Sequence, residues 1–269
     1  MKKLSVASIA LAALAGSAGA ADLPWPPPVY GPPAVVVPLF TWTGCYVGVN
    51  VGGAWPKFDV TYTQGGAYLT TVDPADVALA EGVGSSTVTP RAFTGGGQAG
   101  CNYQVSGLLL GIETDINYLH TTAVFGASGT LPVAGTPVAA TADVSTDWLY
   151  TLRGRVGLAV DRGLFFVTGG LAAGNINFSE TFFHSLFPSP AAASFETGSV
   201  SQRRTGWTVG GGLEYSLTDH WLAKIEYLYV NLGSVSFTSA NNVNPAYTAM
   251  HSVDIKESIL RVGVNYKFF

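Results

Sequence analysis

The last twelve residues, Ser258-SILRVGVNYKFF-Phe269, decide the fold. In an extended chain Ser258, Leu260, Val262, Val264, Tyr266 and Phe268 fall on one side, and Ile259, Arg261, Gly263, Asn265 and Lys267 on the other. One side is apolar and ends in aromatics. The other is small and polar, with Arg261 near its middle.

The same alternation recurs in seven earlier segments, beginning at Trp42. Cys45, Val47, Val49, Val51 and Trp55 oppose Tyr46, Gly48, Asn50 and Gly52. Phe93, Ala99, Cys101 and Tyr103 oppose Gln98, Gly100 and Asn102. Leu108, Leu110, Ile112, Ile116 and Tyr118 oppose Glu113 and Asp115, and Trp148, Tyr150, Leu152 and Val156 oppose Arg153 and Arg155. Phe165, Val167 and Leu171 oppose Thr168 and Gly170; Trp207, Val209 and Leu213 oppose Thr208, Gly210 and Glu214; Trp221, Ile225, Tyr227 and Tyr229 oppose Lys224 and Glu226. Tight turns at Ser106-Gly107, Asp161-Arg162-Gly163 and Thr218-Asp219-His220 alternate with long connections, Pro56–Arg91, His120–Thr146, Ser179–Arg204 and Gly233–Lys256. Short turns at one end and long loops at the other predict an all-β, eight-stranded, antiparallel up-and-down transmembrane barrel over residues 41–269, with both termini in the periplasm.

Which face points outward follows from the polar one. A soluble barrel would turn a Lys- and Glu-rich face to water. Here that face is mostly Gly, Thr, Asn and Gln, as the cramped interior of an eight-stranded barrel requires. Only 11% of the residues are charged, against about 25% in soluble domains. No stretch after the N-terminus offers the 18 apolar residues of a spanning helix, so the apolar surface must be distributed by alternation.

Met1–Ala20, with Lys2, Lys3, an apolar run and Ala18-Gly19-Ala20, reads as a secretory signal peptide. Residues 21–40, rich in proline, read as an extended periplasmic tail. Loss of the two leader lysines takes the formal charge from −4 to −6, which argues against nucleic acid as a partner. The four histidines and two cysteines show no metal-ligand spacing, and the glycine clusters lie within strands rather than at helix starts, so neither a metal, a phosphate cradle nor another cofactor is expected. His184-Ser185 and His251-Ser252 do not make a hydrolase pair, because adjacent residues on a strand point to opposite faces.

The segments FTWTGCYVGVNVGGAW, GIETDINYL, LRGRVGLAVDRGLFFVTGGLAAG, GWTVGGGLEYSL, WLAKIEYLYVNLG and RVGVNYKFF together resemble the RopB-type porin family of alphaproteobacterial outer-membrane proteins. The resemblance runs from Phe40 to Phe268. It implies a barrel in the cell outer membrane, in contact with outer-membrane lipid and lipopolysaccharide. It also implies that the C-terminal aromatics Tyr266 and Phe268 form the signal read by the outer-membrane assembly machinery, although here Phe269 follows the position where that signal ordinarily ends.

Three expectations concern particular residues. Glu113, Asp115, Glu214 and Glu226 face inward with Arg153, Arg155, Lys224 and Arg261, four of each sign, and should form a network that fills the lumen. In the third long loop, Phe182, Phe183, Leu186 and Phe187 surround His184, which either offers an apolar slot and an axial ligand to haem or simply packs. Cys45 and Cys101 stand where the family pattern usually has aromatics, and they share the outward parity. Setting them opposite each other keeps every outward residue outward and brings Val49 opposite Gly97. They then form either a disulfide in the oxidising exported compartment or two lipid-facing thiols. The functional expectation is a non-enzymatic structural barrel for envelope integrity and surface presentation, with a narrow passive porin as the alternative.

Overall fold

The computed structural model describes residues 40–185 and 194–268. The expected leader, residues 21–39 of the tail, Leu186 and Phe187, and the terminal Phe269 lie outside the described residues. Eight long strands form an antiparallel ring: β1 (Gly44–Gly66), β3 (Ala92–Val105), β4 (Leu108–Thr130), β5 (Pro137–Val160), β6 (Gly163–His184), β7 (Ser194–Ser216), β8 (Trp221–Ala240) and β9 (Tyr247–Lys267). β9 closes the ring on β1 from Tyr46↔Lys267 up to Gly66↔Tyr247. A short strand β2 (Ser86–Val88) pairs with the upper part of β1, above the end of β3.

The expected long loops prove to be mostly strand. Pro56–Arg91 continues β1 to Gly66 before two helices, α1 (Tyr68–Thr71) and α2 (Pro74–Gly84), lead into β2. His120–Thr146, Ser179–Arg204 and Gly233–Lys256 are largely the extensions of β4 and β5, β6 and β7, and β8 and β9. Seven of the eight long strands run 20 to 24 residues, about twice the 9–11 that a tilted strand needs to cross the hydrocarbon. The wall therefore stands well clear of the membrane on the extracellular side.

The two halves of the wall have opposite character. In the lower half the outward residues are apolar and bare, such as Val49 at 64%, Phe93 at 63% and Val167 at 65% exposure, bounded above by Trp55, Tyr118, Trp207 and Tyr229. Above that girdle β1 turns Lys57 and Asp59 outward and Phe58 and Val60 inward, and β9 turns Asp254 and Lys256 outward and Val253 and Ile255 inward. The upper half is built like a soluble barrel, with an apolar core of Phe58, Leu119, Val144, Ile176, Phe178, Leu232, Val253 and Ile255 among others. On β1, β6, β7 and β9 the parity is unbroken and only the residue types exchange. On β5 and β8 the register shifts near the girdle, between Ser145 and Leu149 and between Asn231 and Gly233, and moves the inward set from one parity to the other, as an inserted residue does.

The shift on β8 has a second effect. Gly233 takes φ 73°, and its N–H donates 2.8 Å to Asn231 Oδ1. The β7–β8 ladder stops there, at Trp207↔Asn231, while β6–β7 and β8–β9 continue to His184↔Ser194 and Ala240↔Thr248. The two strands thus fork just above the girdle. At the fork a Cβ on Gly206 would stand 1.9 Å from the Asn231 carbonyl oxygen, so only glycine fits.

Candidate functional site

The lumen is filled in layers. At the periplasmic end Trp42, Leu109, Leu164, Phe166 and Leu222 form an apolar floor, and Gln104 Oε1 accepts from the Trp42 N–H at 2.8 Å. Above it the eight expected charges meet in one connected network, every one buried. Arg153 reaches Glu113 at 2.5 Å, Asp115 at 2.7 Å and Glu226 at 2.6 Å. Arg155 binds Glu214 at 2.8 Å and Glu113 at 3.3 Å, with Phe166 under its guanidinium at 4.2 Å. Lys224 bridges Glu113 at 2.8 Å and Glu226 at 3.4 Å, and Arg261 bridges Asp115 at 2.9 Å and Glu226 at 2.7 Å. The strands supply these groups by register: Glu113 lies directly across from Arg153, Glu214 from Lys224 and Glu226 from Arg261. Tyr46 donates to Glu113, Thr151 to Asp115 and Asn265 to Glu214, with Gln98 donating to Asn265 in turn, while Arg155 Nε has no hydrogen-bond partner among the described residues.

Other inward charges lie outside the expected eight, among them Lys267, Glu257, Glu180 and Glu196. Lys267 leaves the network to donate to the Thr41 carbonyl and cover the Phe40 ring at 4.4 Å. Glu257 sits at the foot of the upper core, 1% exposed, with no hydrogen bond to either carboxylate oxygen among the described residues. It fell at the edge of a segment read as loop, although its parity with Ile259 and Arg261 pointed it inward.

The upper core is roofed by a polar cluster. His184 is fully buried, and its Nε2 stands 2.6 Å from Tyr68 Oη, 3.1 Å from Glu196 Oε1 and 2.9 Å from Asn241 Nδ2. Tyr68 also donates to Glu196, and Tyr62 donates to Glu196 at 3.2 Å. Burial opposes charge on Glu196, but bonds from His184, Tyr68 and Asn241 outweigh it and hold the carboxyl below its usual range. Burial and the nearby Glu196 push the Tyr68 hydroxyl well above its ordinary value. Helix α2 completes the roof: Asp73 caps it, and Asp76 accepts the N–H groups of Val133 and Ala134 at 2.8 and 3.0 Å, tying it to the β4–β5 turn.

These positions correct the expected slot. Phe178 to His184 is strand, so Phe182 points inward and stacks on Tyr62 at 4.3 Å while Phe183 points outward, 39% exposed. Phe183 thus points away from His184, whose ring lies 6.3 Å from that of Phe182 and whose Nε2 is engaged. The serines that reach the buried histidines come from across the sheet, not from the next residue: Ser194 lies 3.3 Å from His184 Nε2, and Ser239 lies 2.7 Å from His251 Nε2. Glu180 Oε2 stands 3.1 Å from His251 Nδ1 without the alignment of a hydrogen bond. The Ser239, His251 and Glu180 side chains are buried in the wall, with Phe237 stacked on the imidazole at 4.6 Å.

On the outer face Cys45 pairs directly with Cys101, as does Val49 with Gly97, and the cysteines form a disulfide across a Cα separation of 4.0 Å. The expectation of a bond, rather than two thiols, holds. Tyr266 and Phe268 remain outward beside it, and the Phe268 N–H donates 2.9 Å to the Cys45 carbonyl.

A closed ring of eight antiparallel strands with an apolar outer band, an aromatic girdle and a polar interior is a transmembrane β-barrel. The chain belongs to the family described as outer membrane protein beta-barrel domain, whose model matches residues 8–268. It is 34% identical to a 31 kDa outer-membrane immunogenic protein of Brucella melitensis, over all of both chains. It is 27% identical to a 25 kDa outer-membrane immunogenic protein of Brucella abortus, over 100% of this chain and 99% of the other. Among solved structures, the outer membrane protein OprG of Pseudomonas aeruginosa aligns with a TM-score of 0.47 at 12% identity, covering 84% of this chain and 96% of that one. The resemblance to alphaproteobacterial outer-membrane proteins is thereby established, and the chain is an outer-membrane protein.

Proposed function

We propose that this protein is a sealed, non-enzymatic structural barrel that stiffens the outer membrane and carries a rigid wall above the cell surface. The observation that carries the reading is the layering of the lumen: an apolar floor, a neutral network of eight paired charges and an apolar core, one above another. A water path would have to breach each layer. Unpairing the charges leaves ions in a dry interior, which costs several kcal/mol per ion, and wetting the core exposes apolar side chains that are packed against one another. Tyr266 and Phe268 serve the assembly machinery, and the raised wall is the surface shown to the exterior. The opposed reading, a narrow porin, is tested by conductance across a planar bilayer. Refolded protein should give no steady open level, and a stable nanosiemens conductance would overturn the proposal.

A further inference from the structure

The fork in the wall closes again higher up. At its lower end Trp207 pairs with Asn231, and at its upper end the Asn242 N–H donates 3.1 Å to the Phe195 carbonyl while the Phe195 N–H donates 2.8 Å to Asn242 Oδ1. Between these points β7, over residues 196–206, stays paired with β6, and β8, over residues 233–240, stays paired with β9. Neither has a ladder partner across the slit among the described residues. Two antiparallel edges therefore face each other in the extracellular wall, each with a row of N–H and C=O groups that the ladder on its other side does not use. Such edges are ordinarily guarded by charge or proline. The β8 edge, Gly233-SVSFTS-Ala240, has neither.

Both edges carry the same four residues, Gly198-Ser199-Val200-Ser201 on β7 and Gly233-Ser234-Val235-Ser236 on β8, with the serines turned outward and the valines inward. Phe237 lies across the upper part of the slit: it stacks on His251 at 4.6 Å, and a Cβ on Gly198 would run into its ring. Below Gly198 the slit leaves Gln202 exposed, although its parity points it inward. Arg204 stands at the foot, where its Nη2 comes within 3.7 Å of the place a Cβ on Gly233 would take, so the guanidinium reaches across from β7 to β8. Its Nε is buried and has no hydrogen-bond partner among the described residues. No acid lies on either edge between Glu196 and the fork, and Asp254, opposite Ser234, is on the far side of β8 and turned outward.

We infer that the slit receives an extended peptide as an added strand, with the peptide's C-terminal carboxylate on Arg204. An extended main chain offers donors and acceptors on both sides at the spacing of the two edges. An acyl chain in the same place would leave those backbone groups unpaired, which is costly away from water. A guanidinium takes a carboxylate in a planar, bidentate pair, and with the carboxylate at the foot the peptide runs antiparallel to β8. The pattern of the wall defines the rest of the ligand: hydroxyl residues outward and valine-like residues inward, over about six positions between Arg204 and Phe237, roughly 20 Å at the rise of a strand. Entry requires the edges to part by about one strand spacing, ~4.8 Å, and the bulge at Gly233, with φ 73°, is where β8 bends away from β7. The inference rests on the proposed presentation of the wall at the cell surface but not on the sealed lumen. A conducting protein that still took up the peptide would sink the seal and leave the slit.

The test uses the refolded protein in lipid nanodiscs and a fluorescein-labelled peptide, Thr-Val-Ser-Val-Thr-Val, with a free C-terminus. Fluorescence anisotropy should show saturable binding that weakens at least about tenfold when the C-terminus is amidated. Methylation of alternate peptide nitrogens should abolish it, because the main chain carries the pairing. Arg204→Gln should remove the distinction between acid and amide, whereas Arg203→Gln, at its outward neighbour, should keep it. Hydrogen exchange should show new protection over residues 199–204 and 234–236 in the bound state, and none on β4 and β5. Folding of each variant is checked by heat-modifiable gel mobility. If Arg204→Gln fails to fold, the acid and amide peptides on the wild type carry the comparison. Absence of saturable binding, equal binding of acid and amide by the wild type, or protection confined to other strands would overturn the inference.

Discussion

Replacing Arg153 by alanine is the sharpest perturbation of the lumen. Its guanidinium contacts Glu113, Asp115 and Glu226 within 2.7 Å and Thr151 at 2.9 Å, and its side chain has no solvent exposure. The variant leaves the interior one cation short, with three carboxylates that each lose a hydrogen-bonded partner. Breaking a buried ion pair by removing one member costs about 3–5 kcal/mol. Lys224 still reaches Glu113 and Glu226, and Arg261 still reaches Asp115 and Glu226, so the lower part of that range is expected. Exposed pairs give the contrast: Lys57→Ala, at a side chain 48% exposed, should cost under about 1 kcal/mol. Reversible urea unfolding in lipid vesicles, followed by tryptophan emission, measures both. Arg153→Met combined with Glu226→Gln restores neutrality with apolar volume and should recover much of the loss. If Arg153→Ala proved no more costly than Lys57→Ala, the account of the network as a neutral, interlocked filling would be wrong.

Three further outcomes are expected. Iodoacetamide should not label Cys45 or Cys101 in denatured, unreduced protein, and reduction should lower stability by roughly 4 kcal/mol, the chain-entropy value for a loop of this size. Glu196 is held below its usual carboxylate range, so its contribution to folding is fully present above the unfolded value and is lost as pH falls through the folded one; hydrogen exchange around Tyr68 and Asn241 should rise on acidification below the usual carboxylate range, and an unchanged roof there would contradict the assignment. Gly206→Val should disrupt the β7–β8 fork, because the added Cβ meets a backbone carbonyl that cannot step aside; wild-type urea midpoints would show that the fork is not closely packed.

The strand count, the facing within the membrane, the eight lumen charges and the Cys45–Cys101 register were all legible in the sequence, and for one reason. Inside the bilayer the outward face must be apolar, so a period of two fixes each side chain's direction without reference to any partner. His184 and its neighbours were not legible. Their partners, Tyr68, Ser194, Glu196 and Asn241, come from three separate connections, and nothing local announces that those segments extend upward and converge.

The misreading of long loops has a more general cause. Alternation was sought with its apolar set outward, and above the girdle that sign reverses. Phe58 and Val60 continue the inward parity of Gly52 and Asn50, while Lys57 and Asp59 continue the outward parity of Val51 and Trp55. The period is intact and only the solvents have exchanged places: lipid outside and paired charges inside below, water outside and an apolar core above. On β5 and β8 the register shift also breaks the parity, which hides the strand further. What marks the surface of the membrane in such a chain is therefore not the end of a strand. It is the residue at which charged side chains first appear on the outward parity, Lys57 on β1, Arg203 on β7 and Lys256 on β9.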